Sequence, residues 1–334
     1  PLVGKFEKKI ANYFGSKYAI ATNSGTSALH LSMVAYGIKE KDEVLVPAFT
    51  FVGTVNAIRY CSAIPHFVDS SIEKLGIDVE KLEEYLKIIT VKKGRFTYNK
   101  KTGKKIKAII PVHVFGHPCQ IDKILILAKK YNLIVIEDAA EAHGCNWNDK
   151  SVGSFDIGCF SFYRNKIVCG EEGGAVVSND LEFLSIVNDM KSMSFGKHHN
   201  YMHEQIGFNY RMTNCQASLI LDSLSNVKEN IKKRRQNQQI YDSILPSHYH
   251  MPTRDVPWVY DLKVNDNTVV DRLRKQGIQA RYGFKPVSTC APFFKKTELN
   301  KSLEMSKTVI YLPVDPILSE EEIVEIASTF RRLE

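Results

Sequence analysis

Short apolar runs alternate with segments of helical periodicity along the first two thirds of the chain. Tyr18–Thr22, Glu43–Pro47 and residues 132–136 have the apolar character of buried strands. Val52–Tyr60 and residues 120–131 have the apolar spacing of helices. Strands that alternate with helices over short connections predict a doubly wound, mainly parallel α/β sheet.

The pattern changes in the last third of the chain. A helical run over residues 214–237 ends in the charged sequence KENIKKRRQNQQ and predicts a connection between two domains, with its charges facing solvent. Residues 258–264 and 277–282 indicate strands and a helix of a small α+β domain. We therefore predict a large domain over residues 1–225 and a smaller C-terminal domain over residues 226–334.

The composition is that of an ordinary globular protein, with 44% hydrophobic and 25% charged residues among 334. No apolar run reaches the roughly 18 residues needed to cross a bilayer, so we predict no membrane segment. The seven cysteines are widely spaced and include no C-x-x-C pair. We interpret them as reduced thiols of a cytoplasmic protein.

The net charge of +8 lies in one segment. Between Lys92 and Lys107 there are eight basic residues and no acidic ones, so the rest of the chain is neutral. Turn residues between short β-prone runs predict that this segment is a protruding hairpin. It is either a solvated loop or a loop that attracts an anionic substrate or surface. A nucleic-acid-binding protein would use it, but only Phe96 and Tyr98 could stack on bases there, so we predict no nucleic acid partner.

The histidines do not predict a metal site. His113 and His117 are four residues apart, but they lie on a strand and the following loop and so share no helix face. His198, His199 and His203 lie in a polar segment. Neither group has carboxylates or thiolates at the spacing of metal ligands.

The sequence predicts one lysine at the end of a buried strand. In the sequence GCFSFYRNK, residues 158–166, an apolar strand pattern leads to Lys166, and glycine-rich backbone follows. Because desolvation disfavours the ammonium form, a lysine in a water-poor pocket has a lowered pKa, and its free amine can condense with a carbonyl. A solvated surface charge is the commoner role of a single lysine, so other segments must complete the site.

Two further segments carry polar groups at the carboxyl ends of predicted strands. Residues 23–27, NSGTS, open a helix, where unpaired N–H groups and hydroxyls suit a phosphate, although Ser24 or Thr26 could be an ordinary N-cap. Asp138 follows the strand of residues 132–136, where ligands bind in such sheets. A carboxylate there can hydrogen-bond a ring nitrogen and keep it protonated, although a turn or cap residue is the commoner role.

These groups are together specific, although each is weak by itself. The sequence provides a phosphate cradle at residues 24–27, an aromatic ring at Phe51, an acid at Asp138, a hydroxyl at Ser161 and an amine at Lys166. Pyridoxal phosphate acts as an electron sink and needs these supports. The sequence therefore predicts a site for pyridoxal phosphate.

Several segments resemble the DegT/DnrJ/EryC1/StrS family of sugar aminotransferases. They are NSGTSALHLS, DEVLVPAFTFVGTVNAI, AIIPVHVFGH, VIEDAAEAHG, FSFYRNKIVCGEEGGAVVSND and GFNYRMTNCQA. The resemblance covers nearly the whole chain and implies the fold of type I pyridoxal phosphate enzymes, with a large domain, a small C-terminal domain and a homodimer whose active sites lie at the interface. It also implies two substrates, a nucleotide-linked keto sugar and an amino donor, expected to be glutamate.

The resemblance also assigns roles to residues. Lys166 would hold the cofactor as a Schiff base and move protons, Asp138 would pair with the ring nitrogen, and Phe51 would stack on the ring. The other implied site residues are Thr26, Ser27 and Ser161 for the phosphate, Asn209 for the phosphate in the partner subunit, Glu141 close to the cofactor, and Arg281 near the sugar nucleotide. For Arg281 a surface salt bridge remains the alternative.

Finer likenesses point to two subgroups. The stretch YCSAIPHFVDSSIEKLGIDVEKLEEYLK and the basic insertion after it resemble enzymes that aminate UDP- or GDP-linked 4-keto-6-deoxy-N-acetylhexosamines for legionaminic acid or bacillosamine, and we favour this type. The region of Lys166 and the sequence GFNYRMTN equally resemble perosamine synthases, which use GDP-4-keto-6-deoxymannose. Either would serve the synthesis of a surface polysaccharide or glycan.

Two positions bear on the reaction class. Some family members replace the lysine by histidine and perform dehydration, so Lys166 favours amino transfer. Glu171 stands where many members have glycine, a departure that we expect to matter little. A cofactor-free regulatory or scaffold protein of the same fold is the alternative of another class, and it would not need Lys166.

Overall fold

The computed structural model describes residues 1–196, 201–203, 205–252, 254–293 and 299–334. Its helices are α1 (Leu2–Tyr13), α2 (Gly25–Ala35), α3 (Val52–Tyr60), α4 (Val79–Ile89), α5 (Ile121–Tyr131), α6 (Leu181–Met190), α7 (Asn214–Ser225), α8 (Val227–Ile244), α9 (Val269–Lys275), α10 (Asn300–Thr308) and α11 (Glu320–Leu333). Its strands are β1 (Tyr18–Thr22), β2 (Glu43–Pro47), β3 (Ile64–Val68), β4 (Thr90–Lys93), β5 (Phe96–Asn99), β6 (Lys105–Ile109), β7 (Ile134–Asp138), β8 (Asn146–Trp147), β9 (Lys150–Ser151), β10 (Ile157–Ser161), β11 (Gly174–Ser178), β12 (Tyr260–Lys263), β13 (Arg281–Tyr282) and β14 (Val309–Leu312). Among the described residues, no helix combines the length and the apolar character that a membrane span requires.

The main sheet has the strand order β1-β11-β10-β7-β6-β2-β3. The pairs from β10 to β3 are parallel, whereas β11 pairs antiparallel with both β1 and β10. The predicted mainly parallel α/β fold is confirmed. Because the strands from β10 to β3 run the same way, their last residues Pro47, Asp138 and Ser161 lie along one edge of the sheet.

Apolar residues explain why these strands lie in the centre. Every residue of β2 and of β11 is buried, as expected for strands covered by helices on both faces. Helix α1 presents Phe6 and Ile10 to this core, and the ring of Phe14 just beyond it stacks on Phe160 of β10 at 3.6 Å between centroids. The main core is therefore continuous from the N-terminal helix to the strand that leads to Lys166.

The C-terminal part has a second sheet of order β12-β14-β13, which is antiparallel. Helices α8, α9 and α11 pack on it around residues such as Tyr241, Leu262 and Phe330. The predicted boundary at residue 225 falls between α7 and α8, but Trp258 and Val287 of the second part belong to the main core. The strand predicted over residues 258–264 is limited to Tyr260–Lys263, and that over 277–282 to Arg281–Tyr282.

Two polar clusters fix the C-terminal part on the main sheet. Asp69, just after β3, accepts hydrogen bonds from the Ser302 N–H (2.9 Å) and hydroxyl (2.6 Å) at the start of α10. In the second cluster, Asp261 of β12 is buried between Arg254 and His117, with 2.7 Å between its Oδ2 and His117 Nε2. These contacts set the position of the residues that the C-terminal part places over the sheet edge.

The basic segment forms the predicted hairpin. Strands β4 and β5 pair antiparallel, and β5 continues onto the amino-terminal end of β6 through the pairs Thr97–Ile106 and Tyr98–Lys105. Parallel strands expose their carboxyl ends at the opposite edge, about 13 Å away over the length of β6. The hairpin therefore lies away from the sheet edge that carries Asp138, and this placement argues against a part in attracting a substrate to that edge.

Glu171 adopts a left-handed backbone conformation, with φ of 65°. A non-glycine residue there costs about 1–2 kcal/mol, whereas glycine costs about 0.5–1 kcal/mol through the entropy of the unfolded chain. We therefore expect Glu171→Gly to raise the free energy of unfolding by about 0.5–1 kcal/mol, measured as a higher urea midpoint at unchanged slope. Glu172 has no positive φ and is the matched control. Glu172→Gly should lower the midpoint, and an equal rise in both variants would contradict the explanation.

Candidate active site

A cavity of about 430 Å³ lies at the carboxyl edge of the main sheet, beneath residues of the C-terminal part. This volume is within the usual range for small-molecule sites. Seven of the nine site residues inferred from the sequence line it: Thr26, Phe51, Asp138, Glu141, Ser161, Lys166 and Arg281. The other two, Ser27 and Asn209, do not line it in the same chain.

Lys166 projects its amine into this cavity. It lies in a turn five residues beyond the end of β10, which corrects the prediction that it ends the strand itself, and its backbone N–H donates to the carbonyl of Tyr163 (2.8 Å). The side chain is 11% exposed, and Nζ is 3.5 Å from Glu141 Oε1. Burial lowers the pKa of Lys166, and the negative charges of Glu141 and Asp138 oppose that shift. The site thus favours a free amine more than water does.

Asp138 is the last residue of β7 and is buried. The hydroxyl of Thr54 donates to its Oδ2 (2.7 Å), and the N–H of Ala140 donates to its Oδ1 (3.2 Å). Burial raises the pKa of Asp138, while these two hydrogen bonds and the charge of Lys166 favour the carboxylate. The remaining acceptor capacity of the carboxylate faces the cavity that it lines.

The amino terminus of α2 forms a cradle beside β10. A Cβ on Gly25 would come within 2.8 Å of Ser161 Cβ, so glycine allows the helix to approach the strand. The N–H groups of Gly25 and Thr26 lie in the first helical turn, where no intrahelical acceptor is available, and Gly25, Thr26 and Ser161 all line the cavity. An anion such as a phosphate suits this position.

Ser24 lines the cavity, whereas Ser27 lies behind it in the same helical turn. The hydroxyl of Ser24 caps the helix by accepting from the N–H of Ser27 (3.1 Å), so the alternative of an ordinary N-cap holds for Ser24. The hydroxyl of Ser27 donates to Asn23 Oδ1 (2.7 Å) and is buried. In this arrangement Thr26 and Ser161 face the cavity, and the role of Ser27 in phosphate binding stays a prediction.

Phe51 and Arg281 lie at the cavity's rim. The ring of Phe51 is 58% exposed, and Gly53 leaves it room because a Cβ there would lie 3.0 Å from the ring. Arg281 lies in β13 of the second sheet and is exposed. Asn209 is also exposed, and its Oδ1 accepts from Arg211 Nη2 (3.1 Å) in the same chain.

Four contacts of the site were not inferred from the sequence. Thr54 orients Asp138, and the N–H of Phe115 donates to Glu141 Oε2 (2.9 Å). Trp258 places its ring centroid 3.9 Å from Lys166 Nζ, and Tyr311 lines the cavity beside it. Burial raises the pKa of Glu141, while the charge of Lys166 and the N–H of Phe115 favour its ionised form.

His113 and His117 do not line this cavity. His113 is buried beside Glu137, and His117 is buried beside Asp261. In the part of the chain that the structure describes, no three or more histidine, cysteine, aspartate or glutamate residues form a group that could hold a metal ion. His203 is described, whereas His198 and His199 lie outside the described residues.

Comparisons with known proteins bear on this geometry. The model of the DegT/DnrJ/EryC1/StrS aminotransferase family matches residues 1–331. The GDP-perosamine synthase of Escherichia coli O157:H7 is 36% identical over 338 residues, which cover 98% of this chain and 88% of that protein. The dTDP-3-amino-3,6-dideoxy-alpha-D-galactopyranose transaminase of Aneurinibacillus thermoaerophilus is 32% identical over 342 residues, 99% of this chain and 89% of that protein. A crystal structure of a DegT DnrJ EryC1 StrS aminotransferase from Brucella abortus superimposes with a TM-score of 0.89 at 27% identity, covering 99% of this chain and 90% of that one.

The fold and the site define an aminotransferase, and the chain belongs to the DegT/DnrJ/EryC1/StrS aminotransferase family. Its cofactor is pyridoxal phosphate. The predicted family, reaction class and cofactor are thereby confirmed.

The residues in the cavity fit this cofactor. The amino-terminal end of α2 lies against Ser161 because Gly25 has no side chain, and this helix end suits the phosphate of the cofactor. Asp138 presents a carboxylate, and Lys166 presents an amine within the same enclosed space. An acid, an amine and an anion cradle are the donor set that the ring nitrogen, the aldehyde and the phosphate require.

Proposed function

We propose that this protein transfers an amino group, with glutamate as the donor, to C4 of a nucleotide-linked 4-keto-6-deoxy sugar. The observation that carries the proposal is the convergence of Lys166, Asp138 and the helix end at Thr26 on one cavity. We expect the aminated sugar to be used in the synthesis of a surface polysaccharide or glycan. The alternative of a cofactor-free scaffold does not account for a buried lysine amine beside two buried carboxylates.

Lys166 is the proposed catalytic residue. When bound, pyridoxal phosphate supplies an electron sink that stabilises negative charge on the Cα of the amino donor. Because burial lowers the pKa of Lys166, its free amine would take the proton from that Cα and, as the ammonium form, would deliver it to the former aldehyde carbon of the cofactor, since return to the Cα would transfer no amino group. Nζ of Lys166 lies 3.5 Å from Glu141 Oε1, and this contact limits where the amine moves. Asp138 would accept a hydrogen bond from the ring nitrogen and favour its protonated state.

Two observations bear on the sugar. The relative from Escherichia coli is named for GDP-perosamine, which supports a GDP-linked substrate and the perosamine-type alternative. The relative from Aneurinibacillus is named as a transaminase of a 3-amino sugar, so amino transfer at C3 is the competing position. The N-acetylhexosamine type, UDP- or GDP-linked, rests on the likeness of the residues before the basic hairpin.

A panel of substrates tests the proposal. The protein loaded with pyridoxamine phosphate is mixed in turn with UDP-, GDP- and dTDP-linked 4-keto-6-deoxy sugars and with 3-keto analogues. The substrate that restores the visible absorption of the aldehyde form of the cofactor identifies the nucleotide and the position. Restoration by 3-keto sugars alone would refute transfer at C4, and restoration by none would refute a sugar acceptor.

Arg281 is the proposed contact to the sugar nucleotide, because it is an exposed cation at the cavity's rim. Loss of a charge-assisted hydrogen bond costs about 1.5–3 kcal/mol. We therefore expect Arg281→Ala to raise the KM for the sugar nucleotide about 10- to 150-fold and to leave the half-reaction with glutamate unchanged. Lys275→Ala, at the exposed end of α9, is the control and should change neither. An equal loss in both half-reactions of Arg281→Ala would contradict the assignment.

We further propose a homodimer with shared active sites, in the cytoplasm. Asn209 is exposed and does not line the cavity of its own chain, and large apolar side chains near the cavity or Asn209 are also exposed, with Phe51 at 58%, Tyr60 at 57% and Ile206 at 81%. A second copy that covers this face would bury these residues and bring Asn209 to the partner's phosphate cradle.

Complementation tests the shared site. Lys166→Ala and Asn209→Ala chains are each expected to be defective, because each lacks one component of every site. After unfolding and refolding as an equal mixture, half of the dimers are mixed and each has one intact site, so about a quarter of native activity should return. Refolded single variants are the controls. Absence of recovery, with mixed dimers demonstrated by mass, would place Asn209 outside the partner's site.

A further inference from the structure

The indole of Trp258 makes two contacts with the Lys166 turn. Its ring centroid lies 3.9 Å from Lys166 Nζ, well within the roughly 6 Å at which an aromatic face attracts a cation. Its Nε1–H donates to the backbone carbonyl of Asn165 at 2.7 Å. One side chain therefore contacts both the amine and the peptide that precedes it.

Trp258 is itself held in place. It is 7% exposed, and its carbonyl accepts a hydrogen bond from Arg234 Nη1 at 2.8 Å. The rings of Phe115 and Tyr311 lie 6.2 and 6.3 Å from its ring, tilted by 33° and 37°. The residue belongs to the segment before β12, so the C-terminal part supplies a rigid wall to an amine that the main sheet presents.

The other groups around the amine leave a role for a neutral aromatic face. Glu141 and Asp138 face the amine with negative charge, and His143 is a buried imidazole nearby whose pKa is lowered to about 3 by burial and by the Lys166 charge. One oxygen of Glu141 is already bound to the N–H of Phe115. Burial works against the ammonium form, and the indole face is a support for that form that adds no charge to the cavity.

We propose that Trp258 is a positioning residue for Lys166. Its ring face stabilises the ammonium form of Lys166 when no cofactor is attached to the side chain, and its N–H fixes the turn that carries the amine. The inference rests on the role of Lys166 in the proposed function. It adds a residue from the C-terminal part that sets when Lys166 is charged and where it points.

Two variants separate the ring face from other effects. Trp258→Leu removes the aromatic face but keeps an apolar side chain, although a smaller one, whereas alanine would admit more water, which by itself favours the ammonium and would obscure the sign. Trp258→Phe keeps a weaker ring face and loses the N–H. Phe284→Leu changes another aromatic residue of the same cavity and is the matched control.

The readout is the pH dependence of Lys166 reactivity in the full-length, cofactor-free protein. Trace acetic anhydride labels free amines, and peptide mass spectrometry gives the rate at Lys166 at each pH. We expect the midpoint of Trp258→Leu to lie about 0.5 to 1.5 pH units below that of the native protein, since loss of the face favours the neutral amine. The midpoint of Trp258→Phe should lie between the two, and Phe284→Leu should match the native protein.

A Trp258→Leu midpoint at or above the native value overturns the inference. If that variant does not fold, Trp258→Phe decides: a midpoint below the native value supports the inference, and one at or above it overturns it. Borohydride reduction of the loaded proteins keeps the two proposals distinguishable. A native protein that gives no cofactor adduct on Lys166 refutes the proposed function, whereas a native adduct with unshifted midpoints refutes only the role of Trp258.

Discussion

Lys166→Ala is expected to abolish turnover, with a loss of more than about 10⁴-fold, because in the proposed mechanism a single amine serves both as covalent anchor and as acid–base group. Acid–base catalysis alone contributes about 10²- to 10⁴-fold, and loss of the anchor adds to it. The amine lies in the cavity close to Glu141 and Trp258, and among the residues that the structure describes no other lysine lines this cavity. The measurement is multiple-turnover amino transfer, together with borohydride reduction and peptide mapping of the bound cofactor.

Two controls make this result specific. Lys166→Arg keeps a cation near Glu141 but lacks the primary amine, so it should be as inactive as the alanine variant. Lys150→Ala removes a lysine outside the cavity and should retain native turnover and the adduct on Lys166. Sustained turnover by Lys166→Arg, or an adduct on another lysine, would contradict the assignment.

The sequence was sufficient to predict several of the regular elements that surround the site, although the strand predicted over residues 132–136 is Ile134–Asp138 in the structure and so includes Asp138. The strand β2 and the helix α3 have the predicted bounds, because a fully apolar run and a helical spacing leave few alternatives. Asp138 and Ser161 could be placed near one another, since the carboxyl ends of parallel strands share an edge. The cradle followed from the strand, turn and helix order at residues 18–27.

Contacts between distant segments could not be predicted in this way. Trp258 has the apolar character of any core residue, and no spacing in the sequence relates it to Lys166, 92 positions earlier. Thr54 lies inside helix α3, and the sequence pattern shows only that a polar residue occupies this position. Lys166 lies beyond the strand that it was predicted to end, because the chain turns after Ser161. That turn depends on the hydrogen bond from the N–H of Phe162 to the carbonyl of Gly173, which no apolar periodicity reveals.

The extent of the C-terminal part also could not be predicted from the pattern of apolar and polar residues. Its strands are short and its apolar residues divide between two cores, so Trp258 packs with the main sheet and Leu262 with the second. A boundary read from composition assigns both residues to one unit. The packing instead makes the C-terminal part a cover over the cavity, which is how Arg281 and Tyr311 reach it.

Asp138→Asn is expected to reduce the rate of the half-reaction with glutamate by about 10- to 150-fold, the effect of losing a charged hydrogen bond worth about 1.5–3 kcal/mol. The neutral amide fits the same space but cannot hold a protonated ring nitrogen, so the cofactor loses capacity as an electron sink. Single-turnover absorbance measures the rate of the half-reaction with glutamate. Equilibrium dialysis measures the affinity of the protein for the cofactor. Asp156→Asn is the control, because burial raises the pKa of that carboxyl to about 6 but it does not line the cavity.

Thr54→Val tests whether the carboxylate is the working form of Asp138. The Thr54 hydroxyl holds the pKa of Asp138 down, so its removal should raise that pKa further above the ordinary value of an aspartate. The acidic limb of the pH–rate profile should then move to higher pH while the rate on the plateau changes less than in Asp138→Asn. A limb that stays in place or moves to lower pH would mean that Asp138 is not the group that titrates. If Asp138 must be ionised for activity, a higher pKa means that it becomes protonated, and the rate falls, at a higher pH.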